Sequence, residues 1–166
     1  MRIKTYSVND YRINVEYDDT FDATEELKEW GGDDIFITAY SPHLWVERNG
    51  FSKDEVDEMI EDGNTEYTFL PLYAYIHGGI TLSLKPFSCK WDSGQVGWVI
   101  RKVGVDWCAD ESKAERLVDL WDKACLGEVY RCTVYHKEEV EDDIGGFIGM
   151  DSVEAFISEY SNGNRE

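Results

Sequence analysis

The chain has 166 residues, with 35 Asp and Glu against 16 Lys and Arg, a formal net charge of −19. Apolar residues at 42% and aromatics at 14% supply a packed core and exclude a disordered acidic tail. The same charge repels nucleic acid and anionic membranes and favours cationic protein surfaces.

In chain order, residues 2–8 and 11–17 alternate around Asn9-Asp10, which predicts a β-hairpin. A short helix over 23–30 follows, opened by Asp22 with Glu25 three residues on and closed by Gly31-Gly32. Residues 34–40, DIFITAY, read as a strand that Ser41-Pro42 stops. Ser52 with Glu55 forms a capping box for a helix over 52–62, with Val56, Met59 and Ile60 as its apolar stripe and Gly63 as its stop. Strands are expected over 67–77, over 80–85 after a Gly78-Gly79 turn, and over 95–105 after a turn at Asp92, Ser93 and Gly94 that puts Gly94 at positive φ.

The second half continues with a helix over 112–126, carrying Ala114, Leu117, Val118, Trp121 and Cys125 on one face and ending at Gly127. Strands at 128–136 and 144–149 flank an acidic run, with Gly145-Gly146 read as turn glycines. A last helix from Asp151 turns Val153, Phe156, Ile157 and Tyr160 inward, Asn162-Gly163 closes it, and 161–166 forms a flexible tail. The expected fold is α+β: a single compact domain over 1–166, with an N-terminal hairpin at 1–17 and a central sheet at 67–105. Three to four helices cover one face of this mainly antiparallel sheet, and most of the six tryptophans belong to the core. No run approaches the roughly 20 consecutive apolar residues of a membrane span, and no apolar signal core follows Met1, so a cytoplasmic protein with no membrane association is expected.

The acids are concentrated. Residues 16–34 hold nine acids and one base, 54–66 hold seven acids and no base, and 138–143 hold five acids, whereas between Tyr67 and Val105 the only acid is Asp92. On the 52–62 helix, Asp54, Glu55, Asp57, Glu58, Glu61 and Asp62 fall on the solvent side, where neighbours three and four apart lie about 5–6 Å apart at Cβ. Asp18, Asp19, Glu25, Glu26 and Glu29 form a second patch. Carboxylates at such spacing can occupy a groove built for phosphates, so the expected partner is a basic nucleic-acid-binding protein or complex, with no direct contact to nucleic acid. The expectation is one continuous negative face. Solubility, or a plain acidic interaction module, accounts for the same composition.

A second constellation is FSCKWDSGQVGW, residues 87–98. Cys89, His77 and Asp92 are the residue types of a thiol nucleophile, a base and an orienting carboxylate, which makes them the alternative catalytic set. The structural alternative is a tight turn at Asp92, Ser93 and Gly94 with Cys89 and Trp91 packed beneath it. Cys89, Cys108, Cys125 and Cys132 have no CxxC spacing, the histidines do not complete a zinc pattern, and the acidic runs lack calcium-loop spacing, so no metal and no cofactor are expected.

The stretch LYAYIHGGITLSLKPFSCKWDSGQVGWV, Leu72–Val99, resembles a motif of small bacteriophage and mobile-element proteins, an H-[SG]-G stretch followed by FSCxWDSGQVG. Gly78 stands here where the motif has Ser. The resemblance carries no assigned activity. It implies a phage-type origin, a location in the host cytoplasm, and the setting in which small acidic proteins inhibit restriction or CRISPR systems. In size and charge the chain is also similar to DNA-mimicking antirestriction proteins. Together with the charge pattern this points to an acidic, non-enzymatic inhibitor.

Overall fold

The computed structural model describes residues 2–40 and 51–162. Among these, eight strands and four α-helices give the expected α+β fold. They are β1 Arg2–Val8, β2 Tyr11–Tyr17, α1 Ala23–Gly31, β3 Ile35–Ala39, α2 Lys53–Glu61, β4 Tyr67–Ile76, β5 Ile80–Ser83, β6 Ser93–Lys102, α3 Glu111–Cys125, β7 Val129–His136, β8 Glu139–Ile148 and α4 Met150–Ser161. Every pairing is antiparallel. The strands divide between two sheets instead of one, in the orders β1-β2-β7-β8 and β3-β6-β4-β5. The chain correspondingly forms two compact units, Met1–Phe21 with Gly127–Glu166, and Asp22–Leu126.

In the first unit the β1–β2 hairpin turns at Asn9, whose φ of 53° is the left-handed value that asparagine tolerates best after glycine. Alternation along β2 and β7 sends Ile13, Val15, Tyr130, Cys132 and Val134 to one face, where Val153, Phe156, Ile157 and Tyr160 of α4 cover them. The amide of Asn9 donates to the Tyr160 carbonyl at 2.8 Å and ties the hairpin tip to the helix end.

β8 begins at Glu139, not at 144. Lys137 and Glu138 both take positive φ, 51° and 68°, so the reversal is a tight two-residue turn and the acidic run becomes strand. β8 is an edge strand, where a row of charges opposes addition of a further strand. Gly145-Gly146 is not a turn but a bulge inside β8, since Tyr130 pairs with Phe147 and Cys132 already with Ile144.

In the second unit all five residues of β3 are buried, which requires cover on both faces of the sheet. One face presents Phe36 and Ile100, against which Val56 of α2 packs, with Tyr40, Met59, Phe69 and Trp98 around them. Pleat alternation puts Ile35, Ile37, Val99, Leu72, Ala74 and Leu82, all buried, on the other. There Gly31 of α1 abuts Ile35, α3 lies against β5, and the Asp122 carboxylate accepts from the Leu82 N–H at 2.9 Å. Helices therefore cover both faces, not one.

The helix expectations hold to within a residue or two at each end. Ser52 and Glu55 form the reciprocal capping box, but Ile60 is 40% exposed, leaving Val56 and Met59 as the packed stripe. α3 starts one residue early because Asp110 caps it, its side chain accepting from Ser112 N–H at 2.8 Å. Of the five described tryptophans only Trp121 is buried. The expected stop at Ser41-Pro42 lies outside the described residues, as does the tail from 163 on. Ser161 closes α4 and Asn162 caps it.

Candidate functional site

α2 is built to hold carboxylates outward. At about 100° per residue, its six acids sweep about 160° of arc opposite Val56, and all six are solvent-exposed. Glu55 is partly committed to the cap, its Oε2 accepting from Ser52 N–H at 3.4 Å. Asp57 lies near the Tyr40 hydroxyl, which burial and that carboxylate push up to about 12. No basic side chain among the described residues makes an ion pair with Asp54, Glu58, Glu61 or Asp62. The ridge is thus a bare array of negative charge about 14 Å long by helical rise.

The second patch separates into parts. Glu25, Glu26 and Glu29 are exposed on α1, on the face of the sheet opposite α2, so the two helices present two ridges and not the continuous face expected. Asp18 is committed internally: its Oδ2 accepts from Gly146 N–H at 2.8 Å and its Oδ1 from Thr20 N–H and Oγ1–H at 3.0 and 2.8 Å. Burial pushes the Asp18 carboxyl up, and these hydrogen bonds outweigh it to hold the group below the usual carboxylate range. Asp19 remains exposed. In the third run, Asp143 takes a two-point contact from Arg131 at 2.8 and 3.0 Å, which holds its carboxyl low.

The structure brings His77 and Asp92 together, His77 Nδ1 lying 3.3 Å from Asp92 Oδ2 with both side chains well exposed. Cys89 joins this loop through its backbone, since Ser93 Oγ donates to the Cys89 carbonyl. The expected turn lies upstream. Ser93 and Gly94 already belong to β6, pairing with Tyr75 and Ala74, and Gly94 has no positive φ. The bend covers Lys90–Asp92, and the Asp92 carbonyl accepts from Ile76 N–H at 2.8 Å. Trp91, expected beneath it, is 96% exposed. Of the other thiols, Cys108 and Cys132 are buried, and burial pushes Cys125 up to about 12 and Cys132 to about 11.

No family model, curated protein or solved structure matches the chain. The site therefore rests on its own geometry. Two open cavities, of about 420 and 260 Å³, lie at the hairpin tips beside Arg12 and Lys137 and between β5 and α3 beside Asp122, and neither includes Cys89, His77 or Asp92. No group of three or more His, Cys, Asp or Glu among the described residues is arranged to hold a metal ion. None of the described helices is long and apolar enough to cross a membrane. Sequence reasoning missed the outward Trp91 and Trp107, because an aromatic residue in a strand-rich stretch reads as core.

Proposed function

We propose that the protein is a non-catalytic, phage-type inhibitor that occupies the basic nucleic-acid-binding cleft of a host defence complex, of the restriction or CRISPR kind, with α2 standing where phosphates would lie. The observation that supports this reading is the bare ridge. Six carboxylates over about 14 Å of helix give roughly one charge per 2.3 Å of axis, against about one per 1.7 Å for duplex DNA. That density suffices for a lysine- and arginine-lined groove to exchange counterions for the helix, with opposite charge steering the encounter. Inhibition by occupancy needs no cofactor and no bond-making step. Because α1 faces away from α2, the α2 ridge alone enters the cleft.

The test is competition. The wild-type protein should displace fluorescent duplex DNA from such a complex at about 0.15 M salt, less effectively as salt rises. The fourfold variant Asp54→Lys, Glu58→Lys, Glu61→Lys, Asp62→Lys spares the capping Glu55 and should lose that displacement while keeping the native circular dichroism. Undiminished competition by a folded variant rejects the reading.

A further inference from the structure

On the face of the second unit away from α2, the chain bends through a single-turn 3-10 helix, Asp106–Cys108. This segment is firmly held: the Arg101 guanidinium donates to the carbonyls of Cys108 and Ala109 at 3.3 and 2.9 Å, and Cys108 is buried. Trp107 projects from it, 42% exposed. Its ring meets Trp30 of α1 edge to face at 5.6 Å and 79°, and its indole N–H donates to Asp34 Oδ2 at 2.8 Å.

That last bond narrows what the site can bind. With the N–H already satisfied, the outward part of the ring offers a partner only its π face, which accepts apolar or cationic groups. The rim chooses between these. Glu26 stands one helical turn before Trp30, Asp33 and Asp34 follow α1, and Asp106 adjoins Trp107. The four carboxylates outnumber the cations on this side, Lys28 of α1 and Arg101, whose guanidinium is turned to the carbonyls of Cys108 and Ala109; Lys102 lies, by alternation from Ile100, on the face that α2 covers.

We infer that Trp107, backed by Trp30 and rimmed by Glu26, Asp33, Asp34 and Asp106, is a docking point for an arginine side chain of a basic protein partner. The planar, weakly hydrated guanidinium can stack on the indole while its N–H fork meets the carboxylates, which the compact, strongly hydrated lysine ammonium does poorly. Tryptophan and arginine are also the residues most enriched at interface hot spots. The inference shares with the proposed function only the basic character of the partner and uses a surface on the opposite side of the sheet.

Two twelve-residue Gly-Ser peptides, one with four arginines and one with four lysines, separate shape from charge. Titrated into 15N-labelled full-length protein at about 0.15 M salt, the arginine peptide should shift the Trp107 indole resonance and bind about tenfold more tightly than the lysine peptide. Trp107→Ala should remove that preference. Trp107→Phe, which keeps a ring without the N–H, should retain part of it and guards against simple misfolding. The fourfold α2 variant should leave the preference intact. Equal binding of the two peptides, an unmoved Trp107 resonance, or a preference that survives Trp107→Ala in the folded protein overturns the inference. A preference lost with α2 instead of Trp107 also overturns it, and leaves the α2 reading standing.

Discussion

Replacing Val56 by alanine should detach α2 without unfolding the protein. α2 has nine residues, shorter than the 12–15 or so at which isolated helices become marginal. It carries like-charged neighbours at 54/57, 54/58, 55/58, 57/61, 58/61 and 58/62, which at about 0.2–0.5 kcal/mol each cost about 1–3 kcal/mol. The capping box returns about 1 kcal/mol. Glu61 and Asp62 add charge at the unfavourable end of the helix dipole. Docking must supply the rest, and Val56 is the one fully buried residue on the helix. Removing its two methyls costs about 2–3 kcal/mol, enough to exhaust a helix so poised.

Hydrogen exchange measures this directly. In Val56→Ala the amides of 56–62 should exchange almost as in an unfolded peptide, while those of β7 keep their protection. Raising salt from 0.1 to 1 M shortens the screening length from about 10 to about 3 Å, below the charge spacing, so wild-type α2 should gain protection. If the variant keeps α2 amides within about twofold of wild type, Val56 is not the anchor. If β6 loses protection along with α2, the helix is not an independent opening unit. Either result refutes the reasoning.

Gly97→Ala should destabilise by about 2–4 kcal/mol in urea, because a Cβ there would lie 2.8 and 2.9 Å from the Ala39 Cα and Thr38 carbonyl carbon of the neighbouring strand. Gly79→Ala meets nothing within 4 Å and has no positive φ, so it should change stability by less than about 0.5 kcal/mol; equal effects would contradict the crowding. Burial raises the Asp122 carboxyl although the Leu82 N–H pulls it the other way. An acid raised on folding stabilises below its unfolded value near 3.9 and loses that contribution as pH climbs through the raised value. Asp122→Asn, which keeps an oxygen for Leu82, should therefore raise the urea midpoint at pH 7 but not at pH 3. A gain at both would assign it to packing. Asp18 and Asp143, held low, have the opposite sign and lose their contribution as pH falls through their lowered values.

Local chemistry accounts for what could be read beforehand. Ser52 with Glu55, Asn9-Asp10 and the apolar spacing of α3 and α4 each act within a few residues, so pattern alone located them. Two sheets could not be read, because β2 pairs with β7 across all of residues 22–126 and nothing in either strand names its distant neighbour. The start of β8 is hidden for a different reason: residues 139–143 read as a solvated loop, and Lys137 and Glu138 give no warning that they accept positive φ. At the site, the α2 carboxylates were legible from helix periodicity. The engagement of Asp18 with Gly146, and the opposite facing of α1, were not, because each depends on which strand becomes whose neighbour.

The nesting of one unit within the other bears on how the polypeptide emerges from a ribosome. Tyr17 sits opposite Tyr130, so the backbone leaves the first sheet and rejoins it next door. The inserted segment is complete once Leu126 has been synthesised and can collapse at once. Its host cannot: Ile13 and Val15 must wait, uncovered, until α4, Met150–Ser161, has been made. A premature stop codon after Leu126 would therefore leave the inserted unit whole and the N-terminal hairpin stranded as a sticky, two-stranded remnant for chaperones or proteases.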